Sequence, residues 1–127
     1  SIGRQRQMCL RDSMRPLAEM ACAVLTTSDS REKTILSRRL AAQWFEHRHA
    51  DLPVEIGTAS PPDMPARPDK PELLAPRDVP RRKTGSEAGR NALLHAVAHI
   101  ELNLVDLHWD LIARFSATPM PIGYYDN

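Results

Sequence analysis

The spacing of hydrophobic residues predicts one long helix in the last third of the chain. From about residue 92 to residue 115, at about 100° per residue, apolar and polar residues separate to opposite sides of a helical wheel. The polar side collects six residues: His95, His99, Asn103, Asp106, Asp110 and Arg114. The apolar side collects another six: Leu94, Val97, Leu104, Val105, Ile112 and Phe115. We expect Thr84 and Glu87 to begin this helix as a capping box, and Pro119 and Pro121 to end it.

Glu101 lies in the middle of the apolar side, where only His108 is also polar. An isolated ionised carboxylate is costly to bury, so it requires a cation, a proton or several hydrogen bonds. An arginine, backbone donors or a bound metal ion would each meet that requirement. His108 is seven residues away, about 10 Å along the axis at about 1.5 Å per residue, which is too far to share one ion with Glu101. Glu101 is therefore the main candidate metal ligand.

Three histidines have spacings that also occur in metal sites. His95 and His99 are four residues apart, so their rings could converge on one zinc or iron ion. A metalloprotease would require a glutamate between them, and none is present. A role in a polar interface, facing solvent or forming hydrogen bonds with another element, is favoured over a metal pair. Glu46 and His49 form an E-x-x-H in the last turn of a predicted helix, where the helix dipole alone favours histidine.

Two shorter helices are predicted before residue 53. The first begins near Ser13 as its N-cap and ends near Leu25, and the second begins at a capping box formed by Asp29 and Glu32 and ends near His49. Their connection is short, so residues 1–52 are expected to form an antiparallel helical hairpin. The predicted apolar face of the first helix comprises Met14, Leu17, Ala21, Val24 and Leu25. That of the second comprises Ile35, Leu36, Leu40, Trp44 and Phe45.

Residues 53–84 contain most of the chain's 11 prolines, which excludes a regular helix or a central strand. An ordered, extended strap lying over the bundle is favoured over a disordered linker, because Leu73, Leu74 and Val79 stand between the prolines. The basic cluster that follows comprises Arg77, Arg81, Arg82, Lys83 and Arg90, and we expect it to pair with nearby carboxylates in preference to phosphate or RNA. Residues 85–127 then form the long helix and its end.

Size and charge limit the classes of function. A chain of 127 residues with net charge +1 is one domain at most, and it has no overall charge that would attract nucleic acid or a membrane. Cys9 and Cys22 lack metal or redox spacing, so reduced thiols in a cytoplasmic protein are expected, with an organelle as the alternative because the first residues are arginine-rich. The chain opens on serine and stops at PIGYYDN, where a loop would lead to another element. We therefore expect it to be the N-terminal part of a longer protein.

Residues 67–115 closely resemble an uncharacterised family of ferritin-like, helical di-metal proteins. The resemblance rests on an RP-x-x-P strap, a PRR-x-x-GS-x-x-GR helix start and an ALLHA-x-AHIEL helix, and with SREKTILSRRLAAQWFEH it covers about two thirds of the chain. It implies an all-α, four-helix bundle in which one helix supplies a single Glu, the next an E-x-x-H, and a second helix pair repeats this. Glu101 matches the single-Glu position, while His95 and His99 would serve structure or would support the ligands by hydrogen bonds.

The resemblance further implies a di-iron or di-manganese oxidoreductase, with hydroxylation of a modified tRNA base or of a small molecule as candidate chemistry. The expected E-x-x-H helix and the second helix pair are absent from this sequence, so the chain alone is expected to be inactive and to hold no di-metal centre. Its expected partner is the remainder of the bundle or a second copy. The alternative function is a non-catalytic helical module whose apolar face binds another protein.

Overall fold

The computed structural model describes residues 14–69 and 85–127. Within those ranges, helix α1 covers Leu17–Leu25, α2 covers Ser30–His49 and α3 covers Glu87–Arg114. A short 3-10 helix, Ile122–Asp126, follows α3, and no strand occurs in the described ranges. The all-α prediction is confirmed. None of the described helices is long and apolar enough to span a membrane.

Helix α1 begins at Leu17, four residues later than the predicted cap at Ser13, which lies outside the described residues. Pro16 occupies the cap position and offers no side-chain acceptor. Backbone carbonyls from the proline-rich segment take that role instead. The Leu17 amide donates to the Glu55 carbonyl at 2.9 Å, and the Ala18 amide donates to the carbonyl of residue 56 at 2.8 Å. The first turn of α1 is therefore capped by a distant part of the chain.

Gly57 permits this capping contact. Its φ of +67° lies in the left-handed region, which residues other than glycine rarely adopt. A Cβ atom at this position would also lie 2.7 Å from the Cβ of Pro16, closer than real atoms approach. Glycine therefore lets the extended segment lie directly against the start of α1.

Residues 53–69 continue along α1 without a regular helix or strand. The Ala66 amide donates to the Leu25 carbonyl at 2.7 Å, so this segment also caps the last turn of α1. In the same segment, the Ala59 amide donates to Ser116 Oγ at 3.1 Å, which ties the segment to the end of α3. Residues 70–84, with the rest of the predicted strap and most of the basic cluster, lie outside the described residues. The division of the chain at residues 53 and 85 stays a prediction.

Helix α2 has the predicted start. The Asp29 carboxylate accepts a hydrogen bond from the Glu32 amide at 2.8 Å, and the helix ends at His49. Its predicted apolar face is correct at Leu40 and Trp44, which are buried, and wrong at Ile35 and Phe45, which are exposed. The buried side is rotated toward Lys33 and His47, because Lys33 has a charged partner inside the fold.

Helix α3 begins two residues later than the predicted capping box requires. Ser86 is its N-cap, and Ser86 Oγ accepts a hydrogen bond from the Gly89 amide at 3.0 Å. Glu87 is then the first helical residue. A cap at Thr84, which lies outside the described residues, would have made it the third. The helix ends at Arg114, close to its predicted end.

The core surrounds α1, which contacts α3 more extensively than it contacts α2. Every residue of the predicted apolar face of α1 is buried, so that prediction is confirmed. The buried apolar cluster comprises Met14, Leu17, Met20, Ala21, Val24, Leu25, Leu40, Trp44, Trp109, Ala113 and Tyr125.

Candidate functional site

Helix α3 packs against the fold by the edge between the sides that its sequence marks as polar and apolar. Asp106, Trp109 and Ala113 are buried there. The predicted apolar side is exposed at Leu94, Val97, Leu104 and Phe115 and half-buried against the core at Val105 and Ile112; Leu94 is 68% exposed and Val97 is 45% exposed. The exposed large apolar residues of this helix are Leu93, Leu94, Val97, Ile100, Leu104 and Leu107. We call these six residues the open apolar face, and Glu101 and His108 lie among them on the helical wheel.

A buried ion pair explains why Asp106, a polar-side residue, lies inside the fold. Lys33 Nζ lies 2.6 Å from Asp106 Oδ1, and the two side chains are 2% and 3% exposed. Lys33 Nζ also donates to the Ala66 carbonyl at 2.7 Å. Arg67 adds a second cation, 4.0 Å from the other Asp106 oxygen, and it donates to Asn103 Oδ1 at 2.7 Å. The polar side of α3 therefore finds its partners on α2 and on the extended segment.

Other residues in the second half of α3 also pair with neighbouring elements. Trp109 Nε1 donates to Ser37 Oγ on α2 at 2.7 Å. Arg114 pairs with Asp110 at 2.8 Å, and it also donates to the Pro62 carbonyl at 3.3 Å. Asp106 and Arg114 therefore form interactions between elements, whereas the polar-interface interpretation of His95 and His99, which are exposed, stays a prediction.

Glu101 is exposed and lies on the open apolar face. Val97 and Leu104 flank it one turn before and one turn after, and both are exposed. The described residues contain no group of three or more His, Cys, Asp or Glu side chains that could hold a metal ion. Since a di-metal centre needs several carboxylates and histidines converging from facing helices, the described donors do not fit one by themselves.

His95 and His99 are exposed on the first half of α3, on a different side of the helix from Glu101. Glu46 is also exposed, and the His49 ring stacks on Phe45 with ring centroids 6.3 Å apart. The structure therefore brings none of the three histidines to Glu101. Metal ligation by Glu101 stays a prediction, and so does the less favoured ligation by His95 or His99.

The C-terminal 3-10 helix forms an ionic clasp where the sequence predicted only a loop. Arg48 donates from Nε and Nη2 to the two carboxylate oxygens of Asp126, each at 3.0 Å. Trp44 Nε1 donates to the same carboxylate at 3.0 Å, and the buried Tyr125 ring meets the Trp44 ring edge to face. The aromatic pair followed by aspartate in YYDN was the available indication of this contact.

Between the clasp and α3 lies a groove with a volume of about 170 Å³. Trp44, Phe45, Trp109 and Tyr125 supply aromatic walls, and His108 lines it from the edge of the open apolar face. The clasp thus fixes one wall of a groove that runs beside this face.

The clasp predicts a pH dependence. The Arg48 hydrogen bond, followed by the Trp44 hydrogen bond, lowers the pKa of the Asp126 carboxyl. A lowered folded-state pKa contributes stability that is present above the unfolded-state value and is lost as the pH falls through the folded-state value. We expect the C-terminal segment to loosen below about pH 4, as measured by tryptophan fluorescence. In Asp126→Asn the same titration should be flat, and a persistent transition would contradict this assignment.

Cys22 is a free, half-buried thiol, as expected for a reduced cysteine. Burial raises its pKa, as do the nearby carboxylates of Asp110 and Glu19. Its Sγ lies 3.7 Å from the Ser60 carbonyl, to which it donates. A raised pKa disfavours the thiolate, so Cys22 serves packing against the extended segment.

Comparison with known proteins identifies relatives without assigning an activity. A family model described as "Protein of unknown function (DUF455)" matches residues 26–127. An "Uncharacterized protein" from Haemophilus influenzae is 49% identical over 53 residues, which are 42% of this chain and 18% of that protein. More than four fifths of that relative therefore lies outside the aligned segment. No solved structure gives a significant match to this chain.

Proposed function

This chain belongs to the DUF455 family of proteins of unknown function, and we propose that it forms the N-terminal part of a ferritin-like, di-metal helical protein. In this proposal Glu101 is one carboxylate ligand, and helices that are not part of this chain supply the others. The observation that carries the proposal is the exposure of Glu101 within the open apolar face.

The open apolar face supports an arrangement in which further helices pack on α3. Six large apolar side chains on one exposed helix face are unfavourable in water, and soluble proteins rarely leave such a contiguous patch uncovered. Helices packed on this face would surround Glu101 with apolar side chains. The carboxylate would then require a cation, which carboxylates and histidines from those helices could hold in place beside it.

The relative's length is compatible with such helices. Most of the H. influenzae protein lies outside the segment aligned to this chain, and that remainder is long enough for several helices. Di-iron or di-manganese is the metal pair that we propose for the complete protein. An oxidoreductase, hydroxylating a modified tRNA base or a small molecule in the cytoplasm, is the proposed activity by analogy with the fold. The described residues alone do not supply this centre.

Metal analysis of the complete protein tests the assignment of Glu101. We expect Glu101→Ala to lose most of the bound iron or manganese, because such centres require each of their carboxylates. The matched control is Glu87→Ala, which removes another exposed carboxylate from the same helix and should leave the metal content unchanged. In the isolated chain, Glu101→Ala should change the free energy of unfolding by less than about 0.5 kcal/mol, since the side chain is exposed there. Unchanged metal content in Glu101→Ala would defeat the proposal.

A second candidate function is a non-catalytic helical module, and the same exposed face favours it. In that case the open apolar face binds another protein, and the complete protein purifies without metal. Val97 lies near the centre of this face, so the test variant is Val97→Asp, which places a charge among the apolar residues. The module requires that Val97→Asp abolish partner binding while Glu101→Ala leaves it intact.

A further inference from the structure

Helix α2 carries a stripe of exposed residues on the side that faces away from the core. Six exposed residues follow one another at alternating steps of four and three positions: Arg31, Ile35, Arg38, Ala42, Phe45 and His49. We call this set the basic stripe. Its mean repeat of about 3.6 residues is that of the α-helix itself, so the six residues form one straight face along which a second helix can pack. The opposite side of α2 is already buried through Lys33, Leu40, Trp44 and His47.

The chemistry of the basic stripe alternates between cationic and apolar groups. Ile35 is 56% exposed, and Phe45, which stacks on His49 and lines the groove beside α3, is 38% exposed. Arg31 and Arg38 form no ion pair within the part of the chain that the structure describes. Their guanidinium groups are therefore available to the carboxylates of a partner.

We propose that the basic stripe binds an acidic amphipathic helix of a partner protein. Carboxylates of that helix would face Arg31 and Arg38, and its apolar side chains would pack on Ile35 and Phe45. This interaction goes beyond the proposed di-metal function, because it uses a face of α2 that is distinct from the open apolar face of α3.

Charge placement favours a helical protein partner over two other anionic surfaces. A membrane would bury the apolar positions, but Arg38 lies between Ile35 and Phe45 at the centre of the stripe, where burial in lipid is unfavourable. A nucleic acid would present a dense row of phosphates, whereas the stripe is interrupted by apolar residues, and its flank carries the exposed carboxylates of Glu32 and Glu46 beside Arg39. A helix with separated acidic and apolar positions matches both features.

A designed peptide pair tests the proposal on the full chain. The acidic peptide is a helix of about 21 residues, three heptads, with Glu opposite Arg31 and Arg38 and Leu opposite Ile35 and Phe45. The second peptide carries Lys in place of those Glu residues. Fluorescence anisotropy at low ionic strength should show at least about tenfold tighter binding of the acidic peptide, because charge complementarity adds to the shared apolar contact.

Charge variants of the chain separate the stripe from general electrostatic attraction. Arg38→Glu should weaken binding of the acidic peptide about tenfold, since it replaces an attraction by a repulsion. Arg15→Glu makes the same change in net charge outside the stripe and should leave the affinity unchanged. The double variant Arg31→Glu and Arg38→Glu should reverse the preference and bind the lysine peptide more tightly. A merely structural role of these arginines would not reverse the preference.

The outcomes that overturn the proposal are also defined. Equal affinity for the two peptides, or no binding of either by the wild-type chain, rules out the acidic-helix partner. Binding to phosphatidylglycerol vesicles or to single-stranded RNA that Arg38→Glu abolishes, with no binding of the acidic peptide, assigns the stripe to those surfaces instead. If circular dichroism shows that a Glu variant does not fold, the double variant Arg31→Gln and Arg38→Gln replaces it. This variant removes both charges, so it is expected to bind the two peptides equally.

Discussion

Asp106→Ala is expected to lower the free energy of unfolding by about 3–5 kcal/mol, because it leaves a buried ammonium group without its carboxylate. In the folded protein Lys33 Nζ and Asp106 Oδ1 are 2.6 Å apart, and both side chains are almost fully buried. The Ala66 carbonyl would remain as an acceptor for Lys33, but it carries no compensating charge. Small domains are stable by only about 5–15 kcal/mol, so this loss is a large fraction of the total. Urea unfolding followed by circular dichroism measures it.

A double variant distinguishes the loss of a charge partner from the loss of packing. Lys33→Met combined with Asp106→Leu removes both charges and fills the same space with apolar groups, so most of the stability should return. Asp110→Ala serves as the matched control, since it removes an aspartate from the same helix whose Arg114 partner is substantially exposed. If the double variant were as unstable as Asp106→Ala, the explanation by an unpaired buried charge would be wrong.

Trp44→Ala should cost about 3–5 kcal/mol of stability, as expected when a large buried aromatic residue is removed from a core. Trp44 is 2% exposed and meets Tyr125 with ring centroids 6.4 Å apart. It also donates a hydrogen bond to Asp126, so the variant should release the C-terminal 3-10 helix as well as leave a cavity. Thermal unfolding gives the stability change, and limited proteolysis beyond residue 115 reports the release.

Phe45→Ala provides the comparison for Trp44→Ala. Phe45 is the next residue on α2, but it is 38% exposed, so its removal takes less apolar surface out of the fold and should cost about 1 kcal/mol. Its side chain has no hydrogen-bonding group to hold the C-terminal segment, which should therefore stay resistant to protease. Equal losses in the two variants, or equal release of the C-terminal segment, would contradict the structural assignment.

The helix starts that could be predicted from the sequence are those whose capping interactions are local. Asp29 caps α2 through an amide three residues away, so the prediction from the sequence was correct. The start of α1 could not be predicted in this way, because its caps are carbonyls of residues 55 and 56 in a segment that follows α2. The clasp between Arg48 and Asp126 joins residues 78 positions apart, and the local pattern YYDN does not identify the partner.

The buried side of α3 could not be predicted for the same reason. Hydrophobicity marks one side as apolar, whereas the described structure buries the edge between that side and the polar side, because Asp106 meets Lys33 from 73 positions earlier in the chain. Glu101 was identified from the sequence as a carboxylate among apolar residues, and it lies on the open apolar face. Whether it binds metal depends on ligands from other helices, and the composition of this chain does not determine those.

The dual capping of α1 has a consequence for the order of folding. A helix of nine residues is too short to be stable alone in water, and here both of its ends rely on carbonyl and amide groups of the extended segment. Helix α1 should therefore form only after the chain beyond α2 has folded back onto it. The first amides of α1 and the amide of residue 66 should lose protection from hydrogen exchange together, as one cooperative unit. A substitution of Gly57 would destabilise this unit.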